Sequence, residues 1–213
     1  MCFSAFASFT SGAILITAGV LTLSHVQSRA SLPFAMIPLL FGIQQCIEGV
    51  VWMTFDSEIL HMISTYIFMI FAYVFWPIYV PITIWLIEKH YLRKKLLAGV
   101  AIIGIAIGAY LFTHILTGSV ESRILVKSIY YDLAVPLPVL SFSLYFIATC
   151  GSTVLSSVAK IRIFGAAMLL TFFVAHFFYT ETFFSVWCFF AAILSLIIYM
   201  HMRDIRQFVI VGE

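Results

Sequence analysis

Apolar residues run along the chain in seven long stretches, broken by short clusters of charged and turn-forming residues. The stretches cover 8–25, 32–54, 60–87, 96–116, 134–156, 161–180 and 183–202. Each approaches or exceeds the ~20 residues that a helix needs to cross about 30 Å of hydrocarbon. The ten-residue alternation of a transmembrane barrel is absent. This pattern predicts an all-α polytopic membrane protein, a single seven-transmembrane-helix bundle spanning residues 1–213. Most connections are short, so consecutive helices are expected to be antiparallel neighbours.

Two local departures refine that picture. The third stretch is too long for a straight span, since 28 residues rise about 42 Å as a helix. Its Trp76-Pro77-Ile78-Tyr79-Val80-Pro81 run predicts a kink, because each proline lacks an N–H and leaves the carbonyl four residues earlier, at Tyr73 and Pro77, without its donor. Segment 117–133 carries Ile124, Leu125, Ile129, Tyr130 and Tyr131 among its charges, and is expected to lie in the membrane interface with its tyrosines at headgroup depth. Small residues recur at spacings of three or four at Ser4, Ser8, Ser11 and Gly12, and again at Gly42, Cys46 and Gly49, a pattern that lets helix backbones approach closely.

Composition agrees with a lipid solvent: 63% hydrophobic against 9% charged residues leaves too little polar surface to coat a soluble globule. The lipid bilayer is therefore the first partner. Of the 11 basic residues, nine fall in alternate loops: Arg29, then Lys89, Arg93, Lys94 and Lys95, then Lys160 and Arg162, then Arg203 and Arg206. The positive-inside rule makes those loops cytoplasmic, the N-terminus outside and the C-terminus cytoplasmic. The opposite loops hold Asp56, Glu58, Glu121, Arg123, Lys127, Asp132 and Glu181. The start of the chain has no basic n-region and no small-residue cleavage pattern, so no removable signal peptide is expected. Basic residues at span boundaries are not a nucleic-acid footprint. Cys2, Cys46, Cys150 and Cys188 form no CxxC pair, which argues against a disulfide framework.

Four stretches carry a family resemblance. Met1-Cys2-Phe3-Ser4-Ala5 with Ala7-Ser8-Phe9, the run Pro33-Phe34-Ala35 through Ile37-Pro38-Leu39-Leu40-Phe41-Gly42-Ile43-Gln44-Gln45 to Glu48-Gly49-Val50-Val51-Trp52, the segment Trp76 to Pro81, and Ser185-Val186-Trp187-Cys188-Phe189-Phe190-Ala191-Ala192 together resemble an uncharacterised bacterial family of small multi-helix integral membrane proteins beginning MCFSA-x-ASF. Phe6 departs from the smaller polar residue expected at its position. The resemblance implies an architecture and a bacterial cytoplasmic membrane, and no activity.

Chemistry must then reside in polar groups held within lipid. Glu48 stands out, because a carboxylate in a membrane helix costs about 2.5–3.5 kcal/mol on insertion scales unless it faces a polar interior. Gln44 and Gln45 share or flank its helix face. His25, His90 and His201 fall at cytoplasmic ends, where snorkelling beside basic neighbours accounts for them. His61, His114 and His176 fall at the opposite level with Glu48, Asp132 and Glu181, and Cys2 is a further candidate there. These are the ligand types of a zinc site, or of a proton relay, although no HExxH or CxxC spacing ties two of them together. Helices two and six rise in the same direction, which puts Glu48 and His176 at nearly the same height and predicts one outward pocket lined by Gln44, Gln45, Glu48, Trp76, His176 and Tyr179.

Several activities lack their residues. Retinal would need a lysine in 183–202, which has none, and no Walker, GxSxG or dinucleotide pattern occurs. A bis-histidine haem from His114 and His176 would require facing imidazoles. Three readings remain: binding or movement of a small amphiphile or cation in the outward pocket, metal-assisted hydrolysis of a lipid-like substrate, and a structural or accessory subunit. The first is preferred; the substrate and the oligomeric state are not legible.

Overall fold

The computed structural model describes residues 4–125 and 127–211. Helix α1 (Ala5–Leu23) starts where the Ser4 hydroxyl accepts the Ala7 N–H at 3.2 Å. The second apolar stretch divides at Met36 into α2 (Leu32–Ala35) and α3 (Ile37–Met53), each with a proline in its first turn, Pro33 and Pro38. Then come α4 (Glu58–Met69), the π-helical turn π1 (Ile70–Phe75), α5 (Trp76–Ile87) and α6 (Tyr91–Thr117). A hairpin of β1 (Glu121–Leu125) and β2 (Ser128–Asp132) follows. The chain continues through α7 (Pro138–Phe146), π2 (Ile147–Gly151), α8 (Ser152–Leu155), α9 (Ala159–Phe178), α10 (Phe183–Leu194) and α11 (Leu196–Val211).

Among the described residues, six helical runs are long and apolar enough to cross a membrane: Ala5–Leu23, Glu58–Ile87, Tyr91–Thr117, Pro138–Leu155, Ala159–Phe178 and Phe183–Asp204. The seventh expected span is represented by the shorter Ile37–Met53, because the prolines on either side of Met36 end one helix and begin another. The expected span at 96–116 starts earlier, at Tyr91, and that at 134–156 starts later, at Pro138.

The 117–133 segment corrects the purely helical expectation. It pairs as an antiparallel hairpin in the register Glu121↔Asp132 to Leu125↔Ser128. Ile129 and Tyr131 are buried, and Tyr131 stacks on Phe68 with ring centroids 4.4 Å apart. Arg123 lies over the Tyr130 ring at 4.7 Å. β-Branched and aromatic residues favour a strand once a packed surface is available to cover one face, and α4 and α10 supply that surface.

The proline kink takes a form that spacing alone does not specify. In π1 the hydrogen-bond register lengthens to i−5, so Trp76 N–H reaches Phe71 O. The missing N–H of Pro77 therefore orphans Ala72 O, one residue before the expected Tyr73, and the Tyr145 hydroxyl donates to Ala72 O at 2.7 Å. The Pro77 carbonyl, freed by Pro81, is pressed against α6 at Gly104, where a Cβ would fall 2.0 Å from it. Helices α1 and α3 meet along their small residues: a Cβ on Gly12 would lie 2.6 Å from Cys46 Sγ, and one on Gly42 would lie 2.7 Å from Ile16 N. Small residues at this spacing are what let the two backbones approach so closely.

Candidate functional site

The helical repeat puts Gln44, Gln45 and Glu48 on the face of α3 that turns inward, and all three are 0% exposed. Each finds one polar partner on a different helix. Trp76 Nε1 on α5 donates to Gln44 Oε1 at 2.6 Å. Ser11 Oγ on α1 donates to Gln45 Oε1 at 3.2 Å. Ser185 Oγ on α10 donates to Glu48 Oε1 at 2.5 Å. Four helices thus converge on one polar cluster inside an apolar bundle.

The cluster is incompletely satisfied. Glu48 Oε2, Gln44 Nε2, Gln45 Nε2 and Ser8 Oγ are buried without a protein partner. A buried polar atom left unpaired costs about 1–3 kcal/mol. Together these atoms comprise amide donors, a carboxylate acceptor and a hydroxyl, the complement that ordered water or a small polar guest would bind.

His176 lies elsewhere. It is exposed near the end of α9, parallel to the Phe172 ring at a 6.1 Å centroid distance. With Glu181 it lines a cavity of about 400 Å³ beneath the hairpin. The wall is otherwise largely aromatic, with Tyr73, Tyr130, Tyr131, Tyr145, Phe142, Phe183 and Phe184, and among the described residues no lysine or arginine lines it. Glu48 does not line this cavity, so the expected single pocket resolves into two places. Position along a helix predicts height in a bundle but not which way a side chain faces. Tyr179 lines a neighbouring surface cavity of about 580 Å³ with Lys127, Thr180 and Glu181. Tyr145 lines both the aromatic cavity and a small inner void of about 30 Å³ whose wall includes Cys188 and Trp76, the Gln44 partner.

The expected six-residue relay does not assemble. His61 Nε2 bonds to Ser122 Oγ at 2.8 Å and its ring packs on Phe55. His114 Nδ1 donates to Tyr110 O at 2.9 Å, and Asp132 Oδ1 accepts the Tyr130 hydroxyl at 3.4 Å. Among the described residues no three His, Cys, Asp or Glu side chains gather closely enough to hold a metal ion. Cys2 lies outside the described residues, and Cys46, Cys150 and Cys188 are free thiols.

Residues that position the site escape a reading by spacing. Ser185 meets Glu48 across 137 positions, and Tyr145 meets Ala72 across 73. The one local signal is that Ser185 is a lone hydroxyl within the apolar run of α10.

A family model, described as a family of unknown function (DUF6629), matches residues 1–210, and the chain belongs to that family. No curated protein and no solved structure matches it.

Proposed function

We propose that this member of the DUF6629 family is a multi-pass protein of a bacterial cytoplasmic membrane that binds a small amphiphilic organic cation in the aromatic cavity. The bilayer setting is supported by the six long apolar helices. The orientation rests on nine basic residues in alternate loops, which puts the hairpin end and its cavity outside.

The observation that carries the ligand class is the wall itself: four tyrosines, three phenylalanines, one imidazole and one carboxylate, of which only the Tyr130 ring is already met by a cation, Arg123, among the described residues. Aromatic faces attract a poorly hydrated ammonium, each by about 0.5–2 kcal/mol depending on desolvation. Glu181 supplies the counter-charge, and the apolar remainder accepts the organic part of the molecule. Tyr145 forms the floor. Beyond it, Trp76 and Cys188 lead to the Gln44–Gln45–Glu48 cluster, which serves as a second, deeper polar station for a proton or a small cation on its way inward.

The test uses purified protein in neutral detergent, with intrinsic tryptophan fluorescence as the readout. Phenyltrimethylammonium should bind saturably and at least about tenfold more tightly than tert-butylbenzene, its neutral isostere, as expected if two or more rings each contribute. Glu181→Gln should reduce that preference to the part the rings supply. Equal, non-saturable partitioning of both compounds would overturn the reading.

A further inference from the structure

At the other end of the bundle a cavity of about 730 Å³ opens between the α1–α2 connection, the α5–α6 connection and α11. Its polar wall includes His25, Ser28, Ser31, Lys89, Lys94 and His201. We infer that this cavity is a binding site for a phosphate-bearing headgroup, that of an anionic lipid, separate from the aromatic cavity.

Charge is the first argument. Neither Lys89 nor Lys94 has a carboxylate partner among the described residues, where Asp204 is taken up by Lys160 and Arg203. The one carboxylate in the wall, Glu88, is already committed. It accepts the His90 N–H at 2.8 Å and the Ser157 N–H and hydroxyl at 2.6 Å each. Among the described residues of the wall, two ammonium groups thus stand against one carboxylate that keeps its charge but has its oxygens taken by neutral donors, which leaves the recess net positive.

Placement is the second argument. Lys94 Nζ is held 5.3 Å above the Trp85 ring, which fixes a long side chain without neutralising it. His25 donates Nδ1–H to Leu21 O at 2.6 Å, which fixes its ring at the cavity wall. Ser28 and Ser31 share a hydrogen bond of 3.0 Å at the rim. Ala30, Leu86, Ile87 and Val158 are also in the wall, so an apolar surface lies beside the cations. Free phosphate has no use for that surface, whereas a lipid brings an acyl chain to it. Basic pockets between membrane helices on the cytoplasmic side take anionic headgroups in this way.

The experiment is native mass spectrometry of the full chain released from nanodiscs of phosphatidylcholine containing phosphatidylglycerol. Wild-type protein should retain phosphatidylglycerol in preference to phosphatidylcholine. Lys94→Gln and Lys89→Gln should each reduce that retention about fivefold, the worth of one basic residue near an anionic surface. Lys95→Gln, adjacent in sequence but outside the cavity wall, should leave it unchanged. Millimolar inorganic phosphate that displaces the lipid in wild type but not in Lys94→Gln would assign the same site to soluble phosphate compounds. Equal retention by the Lys94 and Lys95 variants, with melting temperatures matching wild type, or no preference for phosphatidylglycerol and no effect of phosphate, would overturn the inference.

Discussion

Single polar side chains in this bundle matter because the surrounding medium cannot replace a lost partner. Glu48 and Ser185 form such a pair, both 0% exposed and 2.5 Å apart. Ser185→Ala strips a buried carboxyl oxygen of its donor and is expected to lower stability by about 1–3 kcal/mol. Glu48→Gln keeps an acceptor facing Ser185 and should change stability by less than about 1 kcal/mol; thermal unfolding in detergent compares the two. Glu88 gives a pH prediction. Burial works to raise its carboxyl, but the hydrogen bonds from Ser157 and His90 outweigh it and hold the group below its ordinary value near 4.5. As the pH falls, the unfolded chain therefore takes up this proton first. The stabilisation is complete above the ordinary value, declines below it, and is gone once the pH is below the lowered folded value. The difference in melting temperature between wild type and Glu88→Gln should close across that acid interval; a gap that widens as pH falls would contradict the assignment.

Elements pack here through contacts that are close in different ways, and two glycines of α6 separate them. A Cβ at Gly104 would meet the Pro77 carbonyl oxygen at 2.0 Å, and a backbone atom in a proline-bent helix has little room to give. Gly104→Ala should cost about 1–3 kcal/mol, as overpacking of a tight interface does. Gly99 has nothing within 4 Å of its Cβ position, so Gly99→Ala should raise stability by about 0.5–1 kcal/mol through helix propensity alone. Unfolding both variants in detergent checks the opposite signs. The small-residue stripe of α1 and α3 was readable in advance because its spacing repeats along each helix. The π turns were not. Prolines announce a broken ladder, but whether the helix kinks, tightens or widens depends on what reaches the freed carbonyl. Here that group is the Tyr145 hydroxyl, 73 residues away.

For the molecule as a whole, the orientation is the testable quantity. A reporter fused after Glu213 is expected to be active only in the cytoplasm, and one inserted after Ser57 only outside; the reverse pair of signals would invert the proposed map and move the aromatic cavity to the inner face. Apolar run lengths and alternating basic loops determined the membrane-type helical architecture and this orientation prediction, because insertion into lipid is decided by segment-averaged hydropathy and local charge, both additive along the chain. The burial of Glu48 beside Gln44 and Gln45 was legible for a related reason, since residues three and four apart share one face of a helix. Sequence placed His176 at the same height as Glu48 and could not place it at the same azimuth. Only packing decided that His176 faces an aromatic cavity, that Ser185 and Trp76 meet the polar cluster, and that segment 121–132 forms a hairpin with Tyr131 buried against Phe68. Such contacts join residues on separate helices, and the rotation of each helix about its own axis is set by the side chains of its neighbours, a quantity that no one-dimensional pattern contains.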